Sequence, residues 1–332
     1  MQIDQSLAEL SDLLIYGAMT TLTAGMVAFS VALAKGRQLE PISNSENRSN
    51  EISHQLKMGA TTTLETPSVT TSNAEGAGRR AGNIGMAVMW LSTILIGGAL
   101  VLRGLSANRL PWGNMYEFSI AAGFSITSAY CALSVKRDLR WLGLFITIPV
   151  LLTLGLAITV LYTESAPLVP ALQSYWLAIH VTTAIVCIGA FTVGALLSSL
   201  YLIAEKSEDR IQASTTATKL DQLAKRLPNA DRLDLMAYRI HAFMFPLWTF
   251  SVIAGAIWAE AAWGRYWGWD PKETWAFITW VIYAAYLHAR ATAGWRGRKA
   301  AYIAIAGFLA IIFNYFVVNT VIQGLHSYSG LN

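Results

Sequence analysis

Residues 177–203 read LAIHVTTAIVCIGAFTVGALLSSLYLI, a run without Asp, Glu, Lys or Arg. A helix rises 1.5 Å per residue, so about 20 apolar positions cross the ~30 Å hydrocarbon layer of a bilayer. The stretch therefore predicts a membrane-spanning helix, and comparable runs lie on both sides of it. They fall near 12–34, 84–102, 115–135, 141–161, 243–259, 274–290 and 300–322. The whole chain agrees: of its 332 residues 54% are hydrophobic and 13% charged, with a mean hydropathy of +0.43. The expected fold class is all-α, a polytopic membrane helix bundle of about eight transmembrane helices with short outer loops.

The first run follows MQIDQSLAELSD, which is acidic, and the cations Lys35 and Arg37 come after it. That order predicts a retained span with its amino terminus outside rather than a cleaved leader. The intervening segments 35–83, 136–140, 204–242 and 290–299 then face inward and hold 20 of the 24 Lys and Arg residues. This asymmetry is the one that cytoplasmic loops carry. It also accounts for the net charge of +4 without nucleic acid, which is not expected as a partner. The expected organisation is a first transmembrane helix at 1–34, a disordered cytoplasmic linker at 35–83 and one membrane domain at 84–332. Within that domain 204–240 reads as an amphipathic inner linker, because Leu220, Leu223, Leu227, Leu233, Met236 and Ile240 recur among charges. The two cysteines, Cys131 and Cys187, lie inside spans with no CxxC spacing and read as small buried hydrophobes. No Walker loop or dinucleotide fingerprint is present.

Four short segments remain outside: 103–114, 162–176, 260–273 and 323–332. The third belongs to WAEAAWGRYWGWDPKETWAFITWVIYAAYLHAR, residues 258–290, which places six of the chain's 12 tryptophans between Trp258 and Trp280. An interfacial aromatic belt explains one or two of them. The whole cluster, in an outer loop (258–275) broken by Gly264 and Gly268, suits a platform for a large planar ligand. Asp270, Pro271 and Glu273 occupy the N-cap, N1 and N3 positions of a capping box that opens the next helix.

The string W-G-x-Y-W-G-W-D-P-K-E-T-W at 263–275 is similar to the "WWD" signature of the haem-handling proteins of cytochrome c maturation. The contexts S-Y-W-L-A-I-H-V around His180, V-I-Q-G-L-H-S-Y around His326 and N-M-Y-E at 114–117 resemble the CcsA/ResC family of that group. The resemblance implies a haem platform of Trp263, Tyr266, Trp267, Trp269 and Trp275. It also implies axial ligation of haem iron by His180 and His326, which topology independently places at the outer face. His288, 18 residues after Asp270, falls about 27 Å deeper and resembles the family's transmembrane haem ligand. His241 has no match and reads as structural. The outer cations Arg103, Arg109, Arg265 and Lys272 are candidates for contacts to the haem propionates.

The activity implied is that of a membrane subunit of a cytochrome c synthase, a haem lyase acting as part of a complex. It would present haem b, as substrate, for thioether attachment to CxxCH of apocytochrome c, with no covalent nucleophile of its own. The implied partners are a CcsB/ResB-type membrane protein, the apocytochrome and a thioredoxin-like thiol reductant. Location in the plasma membrane follows, or in a thylakoid-type membrane for a photosynthetic source. A haem transporter or chaperone that performs no attachment, and a b-type electron-transfer cytochrome, are the alternatives.

Overall fold

The computed structural model describes residues 3–35, 69–213 and 218–326. Every expected span is a helix: α1 Gln5–Lys35, α2 Val69–Ala107, α3 Met115–Lys136, α4 Gly143–Thr159, α5 Tyr175–Gln212, α7 Ala230–Trp263, α8 Pro271–Thr292 and α9 Arg298–Thr320. A short α6, Lys219–Ala224, lies between α5 and α7. No strand occurs among the described residues. Seven of the helices are long and apolar enough to cross a membrane, which makes the chain a multi-pass helical membrane protein. The exception is α8, which carries Lys272, Glu273, His288 and Arg290. It nevertheless runs the full distance between the two ends of the bundle. Asp270 at its start meets Leu325 beyond α9, and Arg290 near its end pairs with Asp234 at the start of α7.

The stretch 177–203 forms the middle of α5, the central helix, which packs against α3, α7 and α9. In its most apolar window 72% of residues are buried, against 22–50% for the other six candidate spans. Small residues make this closeness feasible: a Cβ on Gly189 would lie 2.3 Å from Ser125 Oγ of α3, so only glycine admits that contact. At the periphery α1 lies along α2, with the Phe29 ring set against Gly143 so closely that a Cβ there would stand 2.4 Å away. Cys131 and Cys187 are buried free thiols, as expected.

Two segments differ from the sequence reading. Residues 36–68 of the expected linker lie outside the described residues, but its remainder is helical, because α2 begins at Val69 rather than near 84. Gly76, Gly78 and Gly82 make this stretch a poor helix former by itself, but it runs on beside α1, where Gly82 lies against Ala32. The amphipathic linker 204–240 is not one helix. Its first residues continue α5 and its last begin α7, with α6 between. Pro228 precedes the break, and the Asn229 side chain caps α7 by accepting the Arg232 N–H at 3.3 Å. Leu227, Leu233 and Met236 consequently join the main core instead of lying on a surface, whereas Leu220 is exposed.

A candidate haem-binding cavity at the tryptophan-rich end

Ser174 caps α5 by accepting the Trp176 N–H at 3.2 Å, and His180 follows in the second turn. Its ring crosses to α7, where Nδ1 donates to the Ser251 carbonyl at 2.8 Å. In return Ser251 Oγ donates to the His180 carbonyl at 3.2 Å. A Cβ on Gly255 would come within 2.7 Å of the ring, so the absence of a side chain there makes room for the imidazole. Fixing the proton on Nδ1 leaves the Nε2 lone pair for a ligand.

The second imidazole arrives from the opposite side. Helix α7 ends at Trp263 with Gly264 as its left-handed C-cap at φ 70°. The chain then folds back to Asp270, which opens α8 with the expected capping box: Glu273 Oε2 accepts the Asp270 N–H at 3.0 Å. Asp270 also performs a task that its cap position does not reveal. Oδ1 accepts the Leu325 N–H at 2.7 Å, and Oδ2 accepts from His326 Nδ1 at 2.8 Å. Burial raises the Asp270 pKa, but the bonds from His326 and Leu325 outweigh it and hold the carboxyl below its ordinary value. Burial pushes the His326 pKa down more strongly than Asp270 raises it, so the neutral imidazole prevails, with Nε2 unprotonated. A carboxylate that orients a histidine in this way is the usual support of a metal ligand.

Both histidines line one cavity of about 160 Å³. Trp258 joins them: its indole lies parallel to the His180 ring at 6.2 Å and edge-on to His326 at 5.4 Å. Trp263 meets His326 at 4.7 Å. The remaining walls are mainly apolar, with Met115 and Phe118 of α3, Val181 and Ile188 of α5, and Ile311 of α9 among them. Three buried polar atoms around the cavity, Trp112 Nε1, Trp248 Nε1 and Asn314 Oδ1, have no hydrogen-bond partner. Two imidazole nitrogens free of described partners, apolar walls and aromatic faces suit a flat, iron-bearing macrocycle.

The other expected platform residues stand apart from this cavity. Trp267 and Trp269 pack edge-on to each other at 5.7 Å and both meet Phe277. Trp275 lies tilted against Phe313 of α9 at 4.1 Å, and Tyr266 is exposed. Trp258, which the tryptophan string includes but its signature does not, holds the central place. Trp258 meets Trp263 edge-on at 4.8 Å near the end of α7, a contact that the i,i+5 offset does not announce.

The cations also divide. Arg109 forms a bidentate pair with Glu117 at 2.7 and 2.9 Å, and Arg103 reaches the same carboxylate at 3.4 Å and Asp12 at 3.7 Å. Glu117 accepts the Gly113 N–H at 2.7 Å as well, so this fully buried acid shapes the 109–117 turn that brings Trp112 and Met115 to the cavity. The side chain of Arg265 folds over Gly268. Lys272 alone of the four lines the cavity.

His288 projects from the exposed face of α8, far from the cavity. His241 is fully buried against Gly194, between the rings of Phe191 and Tyr283 at 5.8 and 5.1 Å, and neither of its nitrogens makes a hydrogen bond. Its ring contacts are packing contacts. No group of acids, histidines and cysteines able to hold a bare metal ion exists among the described residues.

Comparison with known proteins gives these contacts a context. The family described as Cytochrome C assembly protein matches residues 112–326, a stretch that begins and ends on residues lining the cavity. The cytochrome c biogenesis protein CcsA of Picosynechococcus sp. is 36% identical over 301 residues, covering 74% of this chain and 87% of that one. CcsA of Chlamydomonas reinhardtii is 39% identical, covering 74% and 68% respectively. CcsA of Gloeobacter violaceus is 34% identical, covering 75% and 87%. The chain therefore belongs to the cytochrome c assembly protein family, in which it is similar to the CcsA proteins, and its role lies in cytochrome c biogenesis.

Proposed function

We propose that this protein is the membrane subunit of a cytochrome c synthase that holds haem between His180 and His326 for attachment to an apocytochrome. The observation that carries this reading is the pair of imidazoles on one cavity, each with Nδ1 engaged and Nε2 left for iron. In the attachment each CxxCH thiol adds across one haem vinyl group, sulfur to one carbon and hydrogen to the other, with no net oxidation. The chain's own contribution is positioning: Ser251 and Asp270 orient the ligands, and Trp258 and Trp263 supply aromatic faces beside them. The exposed Trp269 and Tyr266 are available to the arriving apocytochrome.

The tryptophan-rich end faces outward in this reading, because the basic residues gather at the other end. His288, open on the surface of α8, serves as a haem ligand in transit, completed by a histidine of a CcsB/ResB-type partner. A thioredoxin-like protein keeps the CxxCH thiols reduced. The membrane is the plasma membrane, or a thylakoid-type membrane as the cyanobacterial and algal relatives suggest.

The test is co-expression with the partner and a c-type apocytochrome, comparing His180→Ala and His326→Ala for bound haem and covalent product. Loss of both in either variant supports the reading. Normal covalent cytochrome from both variants sinks the ligand assignment. Haem delivery without attachment by the wild-type complex makes the protein a chaperone.

A further inference from the structure

The cavity contains one chemical feature that iron ligation and apolar walls leave unused. Lys272, in the first turn of α8, is the only Lys or Arg among the described residues that line it. Its ammonium donates to Asn319 Oδ1. Asn319 is itself set by α9, since its Nδ2 donates to the Tyr315 carbonyl at 2.6 Å, which turns the amide oxygen toward the lysine. Asn314 adds a weak bond from Nδ2 to the Lys272 carbonyl at 3.4 Å. An ammonium has three donors, and one is engaged here.

The acids nearby do not reach it, although Glu273 Oε1 is buried without a hydrogen-bond partner. Asp270 directs its oxygens to the Leu325 N–H, to His326 and to the Lys272 backbone N–H, and Glu273 Oε2 accepts the N–H groups of Gly268 and Asp270. No carboxylate lies within ion-pair distance of Lys272 Nζ among the described residues. The other three cations at this end do not line the cavity: Arg103 and Arg109 are engaged by Glu117, and Arg265 folds over Gly268 with its buried Nη1 unpartnered. A cation held in an apolar cavity with open donors is a receptor for a ligand anion.

We propose that Lys272, held by Asn319, is the carboxylate anchor of the cavity: it selects a macrocycle with free propionates and fixes which edge of the ring is presented. This rests on the haem reading above and sharpens it. Haem carries its propionates on one edge and its vinyl groups toward the other. Anchoring a propionate at Lys272 turns the vinyl edge away from α8, so the lysine orients the reacting carbons without touching them and is a positioning residue.

The test compares ferric protoporphyrin IX with its dimethyl ester, which keeps the ring, iron and vinyl groups and lacks the carboxylates. Both are titrated into the full chain purified in detergent. A charge-assisted hydrogen bond implies that the wild type prefers the free acid by about tenfold or more. Lys272→Gln loses that preference and binds the ester as the wild type does, which also shows that the variant is folded. Lys272→Arg retains part of the preference. In the Gln variant the bound haem shows two in-plane orientations by NMR, where the wild type shows one. Equal wild-type affinity for acid and ester, with both bound through two histidines, overturns the anchor and leaves the haem reading standing. Binding of neither by the wild type overturns the haem reading itself. A Lys272→Gln protein that discriminates as well as the wild type also overturns the anchor.

Discussion

Asp270 is the residue at which folding and ligand chemistry can be separated by substitution. Its carboxylate caps α8, accepts the Leu325 N–H at 2.7 Å and accepts from His326 Nδ1 at 2.8 Å. Asp270→Ala removes all three. Losing the cap costs about 1 kcal/mol, and losing hydrogen bonds to a charged acceptor costs roughly 1.5–3 kcal/mol each. A combined loss of about 3–5 kcal/mol is expected, since neighbouring terms do not add fully. Asp270→Asn is the more telling change. Asparagine caps helices as well as aspartate does, so α8 still starts at Pro271. Its side chain offers one acceptor oxygen where the native residue offers two, so one of the two N–H donors now faces an NH2 group. His326 loses its orientation or the segment before it loses its tie. Removing such a support typically weakens a metal site by roughly 10–100-fold. The assay is titration of the detergent-purified protein with ferric haem, following the bis-imidazole absorption, beside far-ultraviolet circular dichroism. The expected result is unchanged helicity with affinity at least about tenfold weaker. Asp270→Asn binding haem within about twofold of wild type would refute the inference that this carboxylate orients a ligand.

Three further outcomes follow from other parts of the fold. His241→Phe removes two buried nitrogens that have no hydrogen bonds while keeping a flat ring between Phe191 and Tyr283, so thermal stability should change by less than about 1 kcal/mol; a loss above about 3 kcal/mol shows that the imidazole has a polar partner. The Arg290–Asp234 pair, at 2.7 Å with side chains 8% and 15% exposed, joins α8 to α7, so Asp234→Ala should cost about 3 kcal/mol or more, and Arg290→Met in the same chain should recover part of it. If the double variant is no more stable than the single one, the pair is not what ties the helices. The Asp221 carboxyl, bound first by the Thr218 N–H and then by its hydroxyl, is held down at about 2. A folded pKa below the unfolded ~3.9 means that the carboxylate stabilises α6 above that unfolded value and that this support is lost as pH falls through the folded one. An NMR titration of Asp221 with a midpoint near 4 contradicts this.

The bundle was legible because apolar run length is a direct physical requirement of a bilayer, and each of the eight expected runs falls on a helix. The helix ends were less legible. Residues 69–83 and 204–212 extend spans through polar sequence, where helix propensity and neighbouring helices decide rather than hydropathy. The capping box at Asp270 was readable because it is local, three residues along one chain. Its bonds to Leu325 and His326 were not, because they join positions more than fifty residues apart. The same distinction applies to the tryptophans. Their crowding marked the segment, but which indoles face the histidines depends on the turn at Gly264, after which Trp267, Trp269 and Trp275 pack elsewhere. The role of Glu117 was invisible for another reason: N-M-Y-E shows an acid, and only packing shows that two arginines and a backbone N–H converge on it.

The two histidines have unlike attachments. His180 rides in α5, the best-buried helix of the bundle, and displacing it requires disturbing the seam between α5 and α7. His326 lies beyond the last turn of α9, and among the described residues its ring is tied by the carboxylate of Asp270. Local opening has a free energy of its own at each place, lower where fewer contacts must break. An iron bound across this pair would sit between a fixed post and a latch, and an incoming imidazole would exchange at the latch side.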